Sequence, residues 1–377
     1  MVEWKKLGTI AIRNKGIPIT AGQMNELASD NGNIRVFAAG STIADICESK
    51  LPKDCAHRLP SVIVKSRGYI DFEFYEKPFT HKSEMWSYSF DNKQEARYVY
   101  FFLTTQIDFL RQKAKANSVK LPQLCVADTD NYLIPIPSLS EQERIVGILD
   151  TFTSAIDNLK AQIAQRRKQY EFYRDQLLDL EGKEGVEMKT LGDIMQIVRG
   201  ASPRPIKNFI TTKEDGINWI KIGDVAHGAK YITCCNEKIT KVGAEKSRFL
   251  HAGDFILSNS MSFGRPYILK IDGCIHDGWI AMSDFEKYVL SDYLYEYLNS
   301  DIVQKYWIMK ANNGGAMTNL NSDIVRVTPI CIPSFPDQHR IVSILDTFEA
   351  SIANLEAQLK QREKQYEYYR NKLLTFE

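Results

Sequence analysis

Two stretches of the chain are near copies of each other. The sequence from Ile134 to Glu181 aligns without a gap with the sequence from Ile330 to Glu377, and about 29 of the 48 positions are identical. Shared helical composition does not produce identity at that level over so long a stretch. The chain therefore contains a duplicated unit, and its fold has to accommodate this stretch twice.

Each copy has the apolar spacing of a coiled-coil helix. Apolar residues recur at alternating intervals of four and three, a heptad stripe that requires another such stripe against it. The nearest candidate partner is the other copy, and tyrosines on the stripe are expected to be buried. We predict a seam formed by Ile145, Leu149, Phe152, Ile156, Leu159, Ile163, Tyr170, Tyr173, Ile341, Leu345, Phe348, Ile352, Leu355, Leu359, Tyr366 and Tyr369.

The two helices are expected to begin near Ser140 and Asp337 and to be about 60 Å long at 1.5 Å per residue. Prolines precede each predicted start, and acidic residues follow in the first turn. Arg166 and Arg362 occupy seam positions. Such a polar residue can fix the register of a coiled coil, or it can extend its charged end out of the seam into water.

Bulk composition narrows the class of protein. With 377 residues the chain has room for two or three domains, and 48 Lys and Arg against 47 Asp and Glu give no sign of a nucleic-acid partner in the net charge. The N-terminus lacks a signal-peptide core, and no apolar run approaches the roughly 18 residues of a membrane span. Seven cysteines without a C-x-x-C pair indicate reduced thiols in a cytoplasmic protein, with no metal site expected.

The long helices divide the chain into four parts. Strand and helix patterns occur together in each globular segment, which favours an α+β fold. The second globular opening repeats the spacing of the first, since Leu7 corresponds to Leu191 and Gly16 to Gly200. We predict a first globular domain at 1–133, a helix at 134–181, a second globular domain at 182–329 and a helix at 330–377.

Within the globular parts, short runs rich in β-branched and aromatic residues predict strands, and longer periodic runs predict helices. The predicted strands are Ile34 to Ala39, Ser61 to Lys65, Tyr69 to Tyr75, Ile217 to Ile222, Asp254 to Ser258 and Tyr267 to Ile271, and the predicted helices are Glu95 to Lys115 and Leu290 to Ala311. The two globular parts differ at almost every position, whereas the helices hardly differ. This contrast suggests that the helices bind or space something common, while each globular part recognises something different.

The order of parts, the leads IPSLSEQERIVGILD and IPSFPDQHRIVSILD, and the endings YRDQLLDLE and YRNKLLTFE resemble the specificity subunits of type I restriction-modification systems. The resemblance covers the whole chain. It implies two α/β target-recognition domains separated by two helices that form an intramolecular antiparallel coiled coil with a pseudo-two-fold axis.

The resemblance also implies a function. Each domain would read one half of a split, asymmetric site in double-stranded DNA, and the helices would set the unspecified gap. The subunit would have no catalysis and no cofactor of its own. Its partners would be two copies of a DNA adenine methyltransferase subunit and a restriction subunit, which use S-adenosylmethionine, ATP and Mg, and no membrane would be involved.

Basic and amide side chains in turns are the candidates for DNA contact, because base edges and phosphates are met by such groups. The plainer alternative for each is a solvated surface residue. The candidates in the first domain are Lys65, Arg67, Tyr69, Lys82, Lys120 and Gln123, and those in the second are Arg204, Lys207, Asn259, Ser260, Ser262, Arg265, Thr318 and Asn319.

Two other classes of protein compete with this interpretation. A nucleotide-hydrolysing enzyme would need a phosphate-binding loop, and the nearest approach, Gly223 to Lys230, has alanine where the motif needs lysine. A coiled-coil scaffold that binds proteins and has no DNA specificity is the second alternative. It would self-associate through its helices, whereas the specificity-subunit interpretation expects salt-dependent DNA binding.

Overall fold

The computed structural model describes residues 2–118, 120–225, 228–259, 263–313, 316–317 and 319–376. The chain forms two compact units. The first comprises residues 1–160 together with 357–377, and the second comprises residues 161–356. Each unit therefore contains one globular segment, the beginning of one long helix and the end of the other.

The first globular segment alternates short strands and helices, as an α+β domain does. Its strands are β1 (Glu3–Lys6), β2 (Ile12–Lys15), β3 (Ile34–Phe37), β4 (Ile43–Ile46), β5 (Ser61–Lys65), β6 (Asp71–Tyr75), β7 (Phe79–His81), β8 (Trp86–Ser89) and β9 (Leu133–Ile136). Its helices are α1 (Leu7–Ile10), α2 (Ala21–Leu27), α3 (Lys93–Thr105), α4 (Ile107–Asn117) and α5 (Val126–Asp130), with a 3-10 turn at Glu48–Lys50, and the long helix α6 (Leu139–Leu178) follows.

The main sheet of the first unit has the order β2-β8-β5-β6, a smaller one has the order β4-β3-β7, and β1 pairs with β9. Strands β5 and β6 of the main sheet pack against α3, where Tyr98 and Phe101 are fully buried. Ile145 and Leu149 of α6 belong to the same core, and so does Leu374 near the C-terminus. The start of α6 and the C-terminal end of the second long helix are thus anchored in the first unit.

The second globular segment follows a similar plan. Its strands are β10 (Glu187–Thr190), β11 (Gln196–Arg199), β12 (Ile210–Thr211), β13 (Ile217–Ile220), β14 (Tyr231–Ile232), β15 (Glu237–Ile239), β16 (Arg248–Leu250), β17 (Phe255–Ser258), β18 (Pro266–Leu269), β19 (Gly273–Ile275), β20 (Trp279–Ser283), β21 (Asn312–Asn313), β22 (Ala316–Met317) and β23 (Pro329–Ile332). Its helices are α7 (Leu191–Ile194), α8 (Lys241–Ala244), α9 (Ser291–Asn299), α10 (Asp301–Ala311) and α11 (Ser322–Arg326), with 3-10 turns at Ile206–Asn208 and Ile222–Asp224, and α12 (Phe335–Leu373) follows.

The sheets of the second unit have the orders β11-β20-β17-β18-β14 and β12-β15-β13-β19-β16, and β10 pairs with β23. Its largest core contains Tyr293 and Tyr297 of α9. Ile341 and Leu345 at the start of α12 complete that core, together with Leu178 at the end of α6.

Backbone contacts at the openings repeat between the two units. The amide of Leu7 donates to the carbonyl of Tyr132 at 2.9 Å, and the amide of Leu191 donates to the carbonyl of Thr328 at 2.9 Å. Gly16 and Gly200 both allow a close approach, because a Cβ at these positions would lie 2.2 Å from the carbonyl oxygens of Lys82 and His276, respectively. The predicted correspondence of Leu7 with Leu191 and of Gly16 with Gly200 is confirmed by these contacts.

A buried glutamine explains the shared lead into each long helix. The side-chain amides of Gln142 and Gln338 each donate to the carbonyl of a preceding proline, Pro137 and Pro333, at 3.0 Å. Both glutamines are almost completely buried. The bond fixes the angle at which the chain enters the helix, so the identity of this position in the two copies has a structural reason.

The long helices pair antiparallel within each unit, as predicted. In the first unit the ring of Phe152 stacks on that of Tyr369, with centroids 5.4 Å apart, and Lys160 forms an ion pair with Glu363 at 3.6 Å. Residue numbers rise along one helix as they fall along the other. The observed helices are shorter than predicted at their C-terminal ends, because they stop at Leu178 and Leu373.

The second unit repeats these helix contacts. Tyr173 stacks on Phe348 with centroids 5.4 Å apart, and Arg167 forms an ion pair with Glu356. The prediction of buried seam tyrosines was wrong for Tyr173 and Tyr369, which stay exposed on one side. Two helices without a third element cover only one face of such a ring.

The seam arginines lie against aromatic rings. The guanidinium carbon of Arg166 is 5.9 Å from the ring centroid of Phe348, and that of Arg362 is 5.8 Å from the ring centroid of Phe152. This spacing is at the outer range of a cation–π contact. Arg362 is exposed, so its charged end reaches water while its stem covers the seam.

Each predicted globular helix is in fact two helices. The run from Glu95 to Lys115 breaks at Gln106, and the run from Leu290 to Ala311 breaks at Ser300. At the second break the hydroxyl of Ser300 accepts from the amide of Val303, which caps the new helix. The predicted strands are all present, and the run from Ser61 to Lys65 has the predicted bounds.

Within the described residues no helix combines the length and the apolar character needed to span a bilayer. The seven cysteines are free thiols.

We expect Gln338→Ala to destabilise the chain more than Gln142→Ala. The carboxamide of Gln338 also accepts from the amide of Leu290 at 2.8 Å and donates to the carbonyl of Tyr288 at 3.1 Å, whereas Oε1 of Gln142 has no partner among the described residues. Because buried polar groups lose their hydrogen-bond partners, the free energy of unfolding should fall by about 3 kcal/mol for Gln338→Ala and by about 1 kcal/mol for Gln142→Ala. Urea unfolding of the full chain measures both, with exposed Gln361→Ala as the control. Equal losses would contradict the assignment.

Candidate nucleic-acid interface

The turn between β5 and β6 lies beside the segment that precedes α5. Gly68 adopts a φ of +78°, and its amide donates to the carbonyl of Pro122 at 2.9 Å. The amide of Leu124 donates to the carbonyl of Ser66 at 2.9 Å. These bonds bring four predicted DNA-contacting residues from two distant parts of the sequence to one surface, namely Arg67, Tyr69, Lys120 and Gln123.

Arg111 joins this surface although the sequence did not single it out. Its guanidinium carbon lies 4.6 Å from the ring centroid of Tyr69, and its Nε donates to the carbonyl of Ile70 at 3.0 Å. The Tyr69 side chain is 64% exposed. An aromatic ring held by an arginine at the tip of a turn presents a rigid, amphipathic face to a ligand.

Two other predicted residues of the first unit are already paired. Lys65 forms an ion pair with Glu73 at 2.7 Å, and Lys82 forms one with Glu84 at 2.8 Å. Both lysine side chains are largely covered. Their charges are balanced locally, so they contribute less to attracting phosphate than Arg67 or Lys120 do.

The turn after β17 occupies the corresponding place in the second unit. The amide of Leu320 donates to the carbonyl of Asn259 at 2.9 Å, which repeats the bond between Leu124 and Ser66. Asn259 is buried, and its side chain donates to the carbonyl of Asp277 at 3.3 Å. It therefore joins two loops, and its side-chain amide is buried.

The remaining predictions for this turn divide into two groups. Arg265 lies at the end of the turn, with its guanidinium carbon 5.9 Å from the ring centroid of Tyr267, and Asn319 is exposed next to Leu320. The predicted residues Ser260, Ser262 and Thr318 lie outside the described residues.

A second loop of this unit reaches the same corner. Arg204 is 81% exposed, and its Nη2 lies 3.1 Å from Oδ2 of Asp277. Arg199, which the sequence did not single out, donates from Nε to the carbonyl of Asp277 at 3.1 Å. Lys207 is exposed on the following 3-10 turn. Arg199, Arg204 and Asn259 thus converge on one residue, Asp277.

A cleft of about 660 Å³ lies beside Arg204 and Lys207 and is also lined by Lys221, Trp219 and His276. Prolines and isoleucines form much of its wall, and Lys221 is paired there with Glu237, so the cleft has no clear preference for an anionic partner. Among the described residues, no group of three or more His, Cys, Asp and Glu side chains is arranged to hold a metal ion.

Comparisons with known proteins show which family the chain belongs to. The sequence model of the type I restriction modification DNA specificity domain matches residues 1–166 and again residues 183–364. The chain belongs to the type I restriction-modification DNA specificity family. Each matched stretch contains one globular segment with most of the helix that follows it.

Curated relatives match over most of their length. A putative type I restriction enzyme specificity subunit of Haemophilus influenzae is 30% identical over 100% of this chain and 96% of its own. The EcoR124I/EcoR124II specificity subunit of Escherichia coli is 33% identical over 82% of this chain and 77% of its own. DNA specificity is thereby the function of this chain, and the scaffold alternative is not favoured.

Solved structures show the same fold. A structure reported for complex assembly and conformational transition of a type I restriction-modification system is similar with a TM-score of 0.61 at 17% identity, over 99% of this chain and 96% of its own. The S subunit of M. genitalium gives a TM-score of 0.57 at 16% identity, over 100% and 97%. The predicted α+β architecture with two long helices is confirmed.

The Tyr69 and Arg111 pair generates a specific expectation. Tyr69→Ala and Arg111→Ala should each weaken recognition of one DNA half-site about tenfold, since a side-chain contact to a base edge contributes about 1–3 kcal/mol of discrimination, and leave the other half-site unchanged. Band-shift competition with DNA altered in one half-site at a time measures this. Arg58→Ala, which removes an exposed ion pair with Glu48 at the surface, is the control. Equal losses at both half-sites would show that the pair only supports the fold.

Proposed function

We propose that each unit of this DNA specificity subunit reads one half of a split, asymmetric DNA site, and that the helix pair sets the length of the unspecified gap. The observation that carries the proposal is the repetition of one framework with different exposed side chains. The bond from Leu124 to Ser66 recurs from Leu320 to Asn259. Among the described residues beside these bonds, the first unit presents Arg67 and Tyr69, and the second presents Arg265 and Asn319.

The gap-setting role is supported by the continuity of the helices. α6 has 40 residues and α12 has 39, and each begins in one unit and ends in the other. A helix of that length extends on the order of 60 Å. Half-sites about 34 Å apart, one turn of DNA, are within the range that a spacer of this size serves.

The methyltransferase partner is proposed to bind in two copies, because exposed apolar residues occur in pairs at corresponding positions. Phe172 and Tyr368 are 57% and 59% exposed, and Trp4 and Met188 are 45% and 50% exposed. Trp4 pairs in register with Pro135 as Met188 does with Cys331. In the second unit, Phe172 and Met188 line one cleft of about 670 Å³.

Exposed aromatic and methionine side chains are enriched at protein interfaces. A surface that occurs twice in one chain fits two copies of one partner better than two different partners. Catalysis would then belong to the partners, a DNA adenine methyltransferase subunit and a restriction subunit, which would use S-adenosylmethionine, ATP and Mg. The relatives named for type I restriction enzymes support this assignment.

The direct test is a genome-wide map of methylated adenines in the source organism with and without this gene. Loss of one split motif, methylated on both strands, would establish the proposal and supply the recognition sequence. An unchanged map, with the chain and a cognate methyltransferase both expressed, would argue against it.

Insertion of one heptad after Gln162 and one after Gln358 should lengthen the gap by about three base pairs. Seven residues add about 10 Å to each helix while preserving the heptad register, and one base pair rises about 3.4 Å. Methylated-motif sequencing in a host that expresses the variant with its methyltransferase measures the gap. The matched control is an insertion in one helix only, which should abolish methylation because the stripes no longer align. A change in either half-site would contradict the spacer role.

Substitution of one apolar pair should halve the number of bound methyltransferase subunits. Phe172→Asp with Met188→Asp should leave a complex with one copy, and Tyr368→Asp with Trp4→Asp should do the same. A carboxylate in a desolvated interface is strongly unfavourable. Light-scattering mass of the purified complex gives the copy number, and Phe249→Asp, at another exposed position, is the control. Retention of two copies after all four substitutions would disprove the assignment.

A further inference from the structure

Asp277 connects three loops of the second unit. Its carboxylate accepts from the hydroxyl of Ser202 at 2.7 Å and pairs with Arg204 at 3.1 Å. Its carbonyl oxygen accepts from Nε of Arg199 at 3.1 Å and from the side-chain amide of Asn259 at 3.3 Å. The end of β11, the loop that follows it and the turn after β17 are therefore held to one residue.

The geometry leaves Arg204 only partly engaged. Asp277 receives one terminal nitrogen of the guanidinium, and the side chain is otherwise mostly exposed. An arginine has five N–H donors in one rigid plane. The hydrogen bond to Asp277 therefore also fixes the direction of the other donors. A guanidinium fixed in this way is suited to the two acceptors at the major-groove edge of guanine.

An acidic group on a DNA-facing surface needs a reason, because it repels phosphate. The hydrogen bond from Ser202 lowers the pKa of the Asp277 carboxyl, and the hydrogen bond from Arg204 lowers it further. The carboxylate is therefore ionised at neutral pH, and its charge is balanced by the groups around it. The carboxylate therefore holds the side chains around it and does not itself bind DNA.

The corresponding corner of the first unit lacks this arrangement. There the hydroxyl of Ser66 donates to the carbonyl of Glu84 at 2.5 Å, which matches the bond from Asn259 to Asp277 in the second unit. The side chains at the corner of the first unit instead form the ion pair of Lys82 with Glu84. A side chain that donates to this carbonyl is common to both units, so the fold uses it in each, whereas the cluster of Asp277 with Ser202, Arg199 and Arg204 belongs to the second unit.

We propose that Asp277 is a positioning residue for DNA specificity, which holds Arg204 so that its free donors read a guanine in the half-site of the second unit. This inference rests on the proposed function. Arg204 is the contacting residue, and Asp277 acts through it. Arg199, held by the carbonyl oxygen of the same residue, is placed to contact a neighbouring phosphate.

The test uses the full chain expressed with its methyltransferase in a host without other adenine methylation, followed by sequencing of methylated sites. Arg204→Ala and Asp277→Asn should both relax the same G·C position of one half-site, lowering discrimination there by about tenfold to a hundredfold. The other half-site should be unchanged. The double variant should be no more relaxed than Arg204→Ala, since both changes remove one contact.

Two further variants separate positioning from folding. Ser202→Ala removes a bond to the carboxylate while keeping its charge, and should relax the same position to a smaller degree. Asp215→Asn, which loses an exposed ion pair with Lys241 elsewhere in the unit, should leave the motif unchanged. Thermal unfolding of each variant shows whether the domain is intact.

The outcomes are distinct. Uniformly reduced methylation with unaltered base preference in Asp277→Asn would show a structural role and overturn the inference, as would relaxation at a different position from Arg204→Ala. If the wild-type chain gives no split motif, the proposed function fails and the inference fails with it. If the wild-type motif is present and Asp277→Asn leaves it intact, only the inference fails.

Discussion

The apolar stripe of each long helix has to be shielded from water, and the globular segment that precedes the helix buries only the first part of that stripe. In the first unit Ile145 and Leu149 are fully buried in the domain core, whereas Phe152 is covered by a residue of the other helix. Burying one such side chain contributes about 1.5–3 kcal/mol. Leu374 completes the core of the first unit and Leu178 that of the second, so each core needs the end of the helix that began in the other unit. A globular segment together with only the long helix that follows it has an incomplete core. Folding of each unit therefore depends on pairing of the two helices.

Duplication within one chain separates what the fold requires from what recognition uses. Contacts found in both units, such as the bonds of Gln142 and Gln338 to prolines, determine where strands and helices meet. Tyr98 and Tyr293 likewise donate their hydroxyls to carbonyls at 2.8 Å in the strand before each long helix. Side chains that differ between the two units at the same corner are not needed to position the strands and helices. The polar groups around Asp277 therefore mark a surface that folding leaves open to variation.

The helices could be predicted from sequence because a heptad repeat over about 40 residues is a signal that local context cannot imitate. Strands such as Ser61–Lys65 were also predictable, since β-branched residues between turn signals leave few alternatives. The breaks at Gln106 and Ser300 were missed because capping competes with a continuous helix and periodicity does not report it. The candidate interface was found only in part. Turn chemistry pointed to Arg67, Tyr69 and Arg204, but the contacts of Arg111, Arg199 and Asp277 depend on which loops the fold brings together, and sequence spacing does not contain that information.

The low net charge of the chain limits its sequence-independent affinity for DNA but not its sequence specificity. Its net charge is +1, and Lys65, Lys82 and Arg204 are each paired with a carboxylate. Within the described residues the predicted cations without an ion pair are Arg67, Lys120, Lys207 and Arg265. If each of these and Arg199 meets one phosphate, the logarithm of the DNA-binding constant falls with the logarithm of salt concentration with a slope of about −4.5, shallower than the slopes of proteins that bind DNA tightly alone. Most of the sequence-independent attraction must then come from the assembled complex, and the chain itself supplies the contacts that distinguish one sequence from another.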